Sequence, residues 1–139
     1  MDGAWKRRTM TTELTMLAWA LVLALVQIGL AGAMRTRETG LSFNVSARDS
    51  EPPPPRPVTA RLQRAQANLF ETLPVFAAAV LIAEVANRTG DTTELGAQLY
   101  LAARVLYVPL YAFGVPVLRT VVWTVSIVGI VMILKAILG

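Results

Sequence analysis

Apolar residues dominate four stretches of the chain, which are separated by polar segments. Residues 14–34 contain no charged side chain over 21 positions, which is long enough to cross about 30 Å of hydrocarbon at roughly 1.5 Å per helical residue. Three further apolar stretches lie at residues 61–86, 95–113 and 120–138. This pattern predicts an all-α fold, an integral membrane four-helix bundle that forms a single domain over residues 1–139.

A proline-rich segment, residues 35–59, separates the first two apolar stretches. The run from Pro52 to Pro55, followed by Pro57, is typical of extended polyproline structure and does not fit the interior of a helix. We therefore predict a loop over residues 35–59. The two later connections are short, so we expect neighbouring helices to run antiparallel.

The first apolar stretch also has features of a cleaved signal peptide. Basic residues precede it at positions 6–8, and Ala31, Gly32 and Ala33 near its end are the small residues typical of a cleavage site. Its length exceeds the roughly 7–15 apolar residues of a signal peptide, however. We therefore favour a retained membrane helix.

The composition narrows the class of protein and of chemistry. Hydrophobic residues make up 55% of the chain, above the roughly 45–50% of an average soluble domain, which argues against a soluble helical bundle. The chain has no cysteine and no histidine, so any thiol or imidazole chemistry must come from a bound partner, and we predict no metal site. The net charge is +4, but the arginines lie beside apolar stretches, so we expect membrane lipid and not nucleic acid as the partner.

The distribution of lysine and arginine predicts how the chain is oriented in the membrane. The first loop together with Arg119 carries seven basic residues, against five on the opposite side. If translation starts at Met10, the basic residues at 6–8 are lost and the comparison becomes seven against two. Because basic residues concentrate on the cytoplasmic side, we predict that the first and third loops are cytoplasmic.

Polar side chains interrupt the second and third apolar stretches at helical spacing. Four of them in the second stretch share one helical face: Arg61, Arg64, Asn68 and Glu71. Three in the third stretch do the same: Arg104, Tyr107 and Tyr111. In antiparallel helices these two faces meet within the membrane, where an unpaired charge costs at least about 2.5–3.5 kcal/mol. We therefore predict that Glu71 pairs with Arg104.

Two interpretations of this polar face are open. Its side chains can hold the helices together through buried hydrogen bonds, or they can form a binding site, as intramembrane ionisable residues often do. Arg61, Arg64 and Arg119 are suited either to lipid phosphate or to a ligand that carries carboxylates. Tyr107 and Tyr111 are equally consistent with simple packing near the membrane interface.

The run from Arg64 to Glu71, RAQANLFE, resembles the second-helix motif RAQxNxxE of the MAPEG family, the membrane-associated proteins in eicosanoid and glutathione metabolism. Residues farther along resemble the third helix of this family and the start of the fourth: Arg104, Tyr107, Tyr111, Gly114, Pro116, Arg119 and Trp123. The resemblance covers nearly the whole chain. The short length and the proline-rich first loop are most similar to bacterial members, which implies the bacterial inner membrane.

The resemblance implies a homotrimer with glutathione held between neighbouring subunits near the first loop. The residues that it implies as cofactor-binding are Arg64, Gln66, Asn68, Glu71, Tyr107 and Tyr111. Arg61 and Arg104, which share the two polar faces with them, complete the predicted cofactor-binding set. Glutathione offers carboxylates to arginine and an ammonium group to Glu71. It also supplies the thiol that the chain lacks.

By the same resemblance, Arg119 is the candidate catalytic residue, a cation that stabilises the glutathione thiolate. The interval from Tyr111 to Arg119 is eight residues, one fewer than in the prostaglandin E synthase of the family. Because the family also contains a protein without known catalysis, two functions are open. One is a glutathione transferase or peroxidase that acts on lipophilic electrophiles, and the other is a non-catalytic lipid-binding or scaffold protein.

Overall fold

Four long helices and one short helix account for most of the chain. The computed structural model describes residues 9–139, so the basic residues at 6–8 that enter the orientation argument lie outside the described part. The helices are α1 (Thr12–Thr39), α2 (Leu41–Asn44), α3 (Pro57–Val85), α4 (Asp91–Ala112) and α5 (Pro116–Leu138). Residues 9–139 contain no strand, which agrees with the predicted all-α fold.

Three of the long helices, α1, α3 and α5, are long and apolar enough to cross a membrane. Large apolar side chains such as Leu25, Leu81 and Val117 are exposed on their outer surfaces. Exposed apolar surface of this extent is suited to hydrocarbon and not to water. These helices make the chain an integral membrane protein, whereas α4, which is less apolar, stays a predicted span.

The proline-rich loop is shorter than the predicted 35–59, because helices extend into it from both sides. At the end of α1, Arg35 Nη1 and Glu38 Oε2 form an ion pair at 3.1 Å across one helical turn. Pro57 begins α3, a position where its missing N–H removes no helical hydrogen bond. Polar helix ends of this kind are not visible in a hydropathy pattern.

The carboxylate of Glu38 joins the end of α1 to the start of α3. It accepts a hydrogen bond from Thr59 Oγ1 at 2.6 Å and another from the backbone N–H of Arg56 at 3.2 Å. Arg56 immediately precedes the first turn of α3 and makes no side-chain cap of its own. A side chain of α1 therefore pairs one backbone N–H at the N-terminus of α3 and holds the two ends of the loop together.

Helices α3 and α4 pack together, and α1 and α5 each pack against both of them. Between residues 9 and 139, α1 and α5 make no contact with each other. The core contains Phe76 of α3 and Tyr100 of α4, both fully buried, whose rings stack with centroids 3.9 Å apart. The α3–α4 pair is therefore the centre of the protomer.

The backbones of α4 and α5 approach closely at two glycines. A Cβ on Gly96 would lie 2.6 Å from the carbonyl oxygen of Gly129, and a Cβ on Gly129 would lie 2.5 Å from that of Gly96. No other residue type fits either position without separation of the helices. Close crossings at small residues are a common way for membrane helices to pack.

Candidate functional site

The polar faces predicted for the second and third spans meet between α3 and α4. Asn68 bonds Arg104, and one turn nearer the loop Arg64 bonds Tyr111. These contacts follow the antiparallel course of the two helices. The predicted meeting of the two faces is therefore confirmed.

Arg104 lies at the centre of this polar face and is 1% exposed. Its Nη1 donates to Asn68 Oδ1 at 2.8 Å, and its guanidinium carbon is 4.6 Å from the centroid of the Tyr107 ring. Its Nε and Nη2 have no hydrogen-bond partner within residues 9–139. A buried guanidinium without full pairing is costly, so these donors are a strong sign of a further partner.

The predicted ion pair between Glu71 and Arg104 is wrong. The one ion pair among the described residues is that of Arg35 with Glu38, and Glu71 is exposed. Asn68 takes the place of Glu71 as the partner of Arg104. Three residues along a helix leave about 60° of rotation between two side chains, so Asn68 contacts Arg104 whereas Glu71 lies to one side, on the exposed surface.

Tyr111 brings together two arginines from different helices. The guanidinium carbon of Arg119, at the start of α5, lies 4.5 Å from the ring centroid, within cation–π distance. Arg64 of α3 donates from Nε to the Tyr111 hydroxyl at 3.2 Å. Despite the shortened interval between Tyr111 and Arg119, the loop between α4 and α5 places Arg119 at the polar face.

A cavity of about 160 Å³ lies beside these residues. Its lining consists of Asn68, Tyr107, Tyr111, Arg119, Thr120 and Trp123. Thr120 was not predicted as a site residue. The signal for it in the sequence is its position directly after Arg119. The indole nitrogen of Trp123 is buried without a hydrogen-bond partner in the described part of the chain. The cavity therefore presents a cation, hydroxyl groups and an amide on one side of the α3–α4 pair.

Two predicted site residues besides Glu71 lie outside this group. Arg61 covers the turn between α4 and α5, with Nη1 3.4 Å from the carbonyl oxygen of Ala112 and the guanidinium against Gly114. Gln66 lines a larger cavity of about 720 Å³ between α1, the first loop and α3. The predicted residues that the structure gathers at the polar face are Arg64, Asn68, Arg104, Tyr107, Tyr111 and Arg119.

The fold and this site define an all-helical integral membrane protein with a cationic, tyrosine-lined polar face inside it. The sequence model of the MAPEG family matches residues 14–139, nearly the whole chain. The chain therefore belongs to the MAPEG family. No curated protein matches it.

Proposed function

We propose that the chain binds glutathione and that the cavity beside Arg104 and Arg119 forms part of the binding site. The observation that carries this proposal is the cavity lined by Arg119, together with buried Arg104, which has two unused donors and contacts the cavity residues Asn68 and Tyr107. Glutathione fits this set of groups, because its carboxylates match guanidinium donors and its ammonium group matches a carboxylate. Glu71, exposed one turn from Asn68, is the proposed partner of the ammonium group.

The site of one protomer is too small to enclose this ligand. The cavity of about 160 Å³ is below the roughly 300 Å³ at which ligand pockets begin. Arg64 and Glu71 are exposed on the outer surface of α3, one turn on either side of the cavity residue Asn68. A second copy of the chain packed against this surface would close the site, which supports the proposed homotrimer with glutathione between subunits.

Arg119 is the proposed catalytic residue. Bound glutathione would supply the thiol that attacks a lipophilic electrophile or reduces a peroxide. The guanidinium of Arg119 at the cavity wall favours the thiolate over the thiol by Coulombic attraction, and the Tyr111 ring holds that guanidinium in place. Lipophilic substrates would enter from the bilayer. The distribution of basic residues favours an orientation with the first and third loops cytoplasmic, and the similarity to bacterial members favours the bacterial inner membrane.

The second candidate is a non-catalytic lipid-binding or scaffold protein. It is favoured by an apolar groove of about 470 Å³ on the outside of α4 and α5, lined by Leu99, Val121, Thr124, Val125 and Val128. Such a groove suits an acyl chain. One wall of the groove is α5, the helix that carries Arg119, so the groove is also compatible with a lipophilic substrate.

Thermal stability and turnover of the detergent-purified protein distinguish these functions. We expect millimolar glutathione to raise the melting temperature, since a ligand at 100 times its Kd adds about 2.7 kcal/mol to stability. We also expect turnover with a chlorodinitrobenzene electrophile, and Arg119→Ala should abolish turnover while most of the thermal shift stays. A thermal shift without turnover in the wild type would favour the non-catalytic lipid-binding or scaffold alternative. If the wild type shows neither a thermal shift nor turnover, glutathione binding is contradicted.

A further inference from the structure

Gln27 is a buried polar residue of α1 that the proposed glutathione site does not use. It is 3% exposed, and neither its Oε1 nor its Nε2 has a hydrogen-bond partner among residues 9–139. It lies on the buried face of α1 with Ala20, Ala24 and Ala31, which offer no polar side-chain group. Buried amides are almost always hydrogen-bonded, so this one requires a partner.

The contacts between α1 and α3 place Gln27 level with Asn68. At one end of this antiparallel pair, Thr11 donates a hydrogen bond to Glu84. Gln27 is 16 residues from Thr11 along α1, and Asn68 is 16 residues from Glu84 along α3. At about 1.5 Å per residue, both therefore lie about 24 Å from that contact.

The contact between α1 and α4 independently places Gln27 near Arg104. Thr93 of α4 donates a hydrogen bond to Glu13 of α1, and the two helices run in the same direction from there. Gln27 is 14 residues beyond Glu13 and Arg104 is 11 residues beyond Thr93. The difference in height is about 4–5 Å, which a long arginine side chain can bridge with one water molecule.

The geometry points to a buried water site between α1, α3 and α4, in which one water molecule joins the Gln27 amide to Arg104. The water oxygen accepts from Nε or Nη2 of Arg104, and the water donates to Oε1 of Gln27. Asn68 already bonds Nη1, so the three side chains form one polar layer across three helices. An internal water needs two to four polar partners, which this layer supplies.

In this layer Gln27 is a positioning residue for Arg104. The water bridge from α1 holds one of the two remaining donors of the guanidinium, while Asn68, which lines the cavity, holds Nη1. Gln27 therefore acts on the cavity only through Arg104. The link to ligand binding rests on the proposed glutathione function, but the polar layer itself does not.

A double-mutant cycle on melting temperature tests the layer without any ligand. The variants are Gln27→Leu, Arg104→Met and the double variant that carries both changes. The control is the same cycle with Gln98→Leu in place of Gln27→Leu, because Gln98 is an exposed glutamine of α4. We expect Gln27→Leu to lower the melting temperature by about 4 °C in the wild type and by clearly less in the Arg104→Met background. The Gln98 cycle should be additive.

Additive effects in the Gln27 cycle would overturn the water site. If Arg104→Met does not fold, Asn68→Leu replaces it in the cycle, and the same coupling is expected because Asn68 belongs to the layer.

As a second measurement, Gln27→Leu should weaken glutathione binding several-fold, whereas Gln98→Leu should not change it. If the melting temperatures show coupling but Gln27→Leu binds glutathione with unchanged affinity, the water site stands and the positioning role is overturned. If the wild type binds no glutathione, the proposed function fails while the cycle still decides the layer.

Discussion

The two neighbours of α4 are held to it in different ways. Toward α5, the glycines Gly96 and Gly129 bring backbone against backbone without a polar side chain. Toward α3, the contacts include a buried arginine with two unused donors and the hydrogen bond from Arg64 to the Tyr111 hydroxyl. The glycine crossing shows that two helices of this protein pack tightly without polar side chains. Packing alone therefore does not explain the polar groups between α3 and α4.

The largest effect is expected when the glycine crossing is blocked. In Gly96→Ala the new Cβ would lie 2.6 Å from the Gly129 carbonyl oxygen, so α4 and α5 must separate. Overpacking of this kind costs about 1–3 kcal/mol, and the melting temperature should fall by several degrees. Gly32→Ala in α1 is the matched control, because a Cβ there meets no atom within 4 Å. Equal melting temperatures for the two variants would refute the close crossing.

A loss of stability of up to the same size is expected from Asn68→Leu. This change removes the acceptor of Arg104 Nη1 and leaves a third buried donor unpaired, at a cost of about 1–3 kcal/mol in the free energy of unfolding. Asn68→Asp keeps an acceptor oxygen and should retain more stability than Asn68→Leu. Thermal denaturation in detergent measures both. The contact is unimportant if Asn68→Leu melts at the wild-type temperature.

The smallest effect is expected at Tyr111, where the ring and the hydroxyl have separate partners. Tyr111→Phe loses only the hydrogen bond from Arg64, worth about 0.5–1.5 kcal/mol, and keeps the ring under Arg119. Tyr111→Leu also loses the cation–π contact, worth about 0.5–1 kcal/mol. We expect electrophile turnover to fall further in Tyr111→Leu than in Tyr111→Phe. Equal turnover in the two variants would show that the ring does not hold Arg119.

Helical periodicity was enough to predict the long helices and the meeting of the α3 and α4 faces. It could not decide whether Asn68 or Glu71 faces Arg104, because both lie on one face and differ by only about 60°. It also placed Arg61 with Arg64, although the Arg61 guanidinium turns to the end of α4. Rotations of this size depend on the neighbouring helix and not on the residue spacing.

Other features carry no signal in a single sequence. Gly96 and Gly129 are isolated glycines in apolar stretches, and only the packed helices show that their backbones touch. Gln27 lies within the uncharged run of the first span, and the residues three and four positions after it, Leu30 and Ala31, are apolar. Its importance follows from burial without a partner, which is a property of the packed structure.

Calorimetric titration of glutathione tests the central claim most directly, namely that the polar face between α3 and α4 is a ligand site. The wild type and Gly32→Ala should bind glutathione with the same affinity, because Gly32 lies outside the polar face. Arg104→Met, checked for folding by its melting curve, should bind far more weakly, because it removes the central guanidinium. Saturable binding of equal affinity in the wild type and a folded Arg104→Met variant, or none in the wild type, would contradict the account.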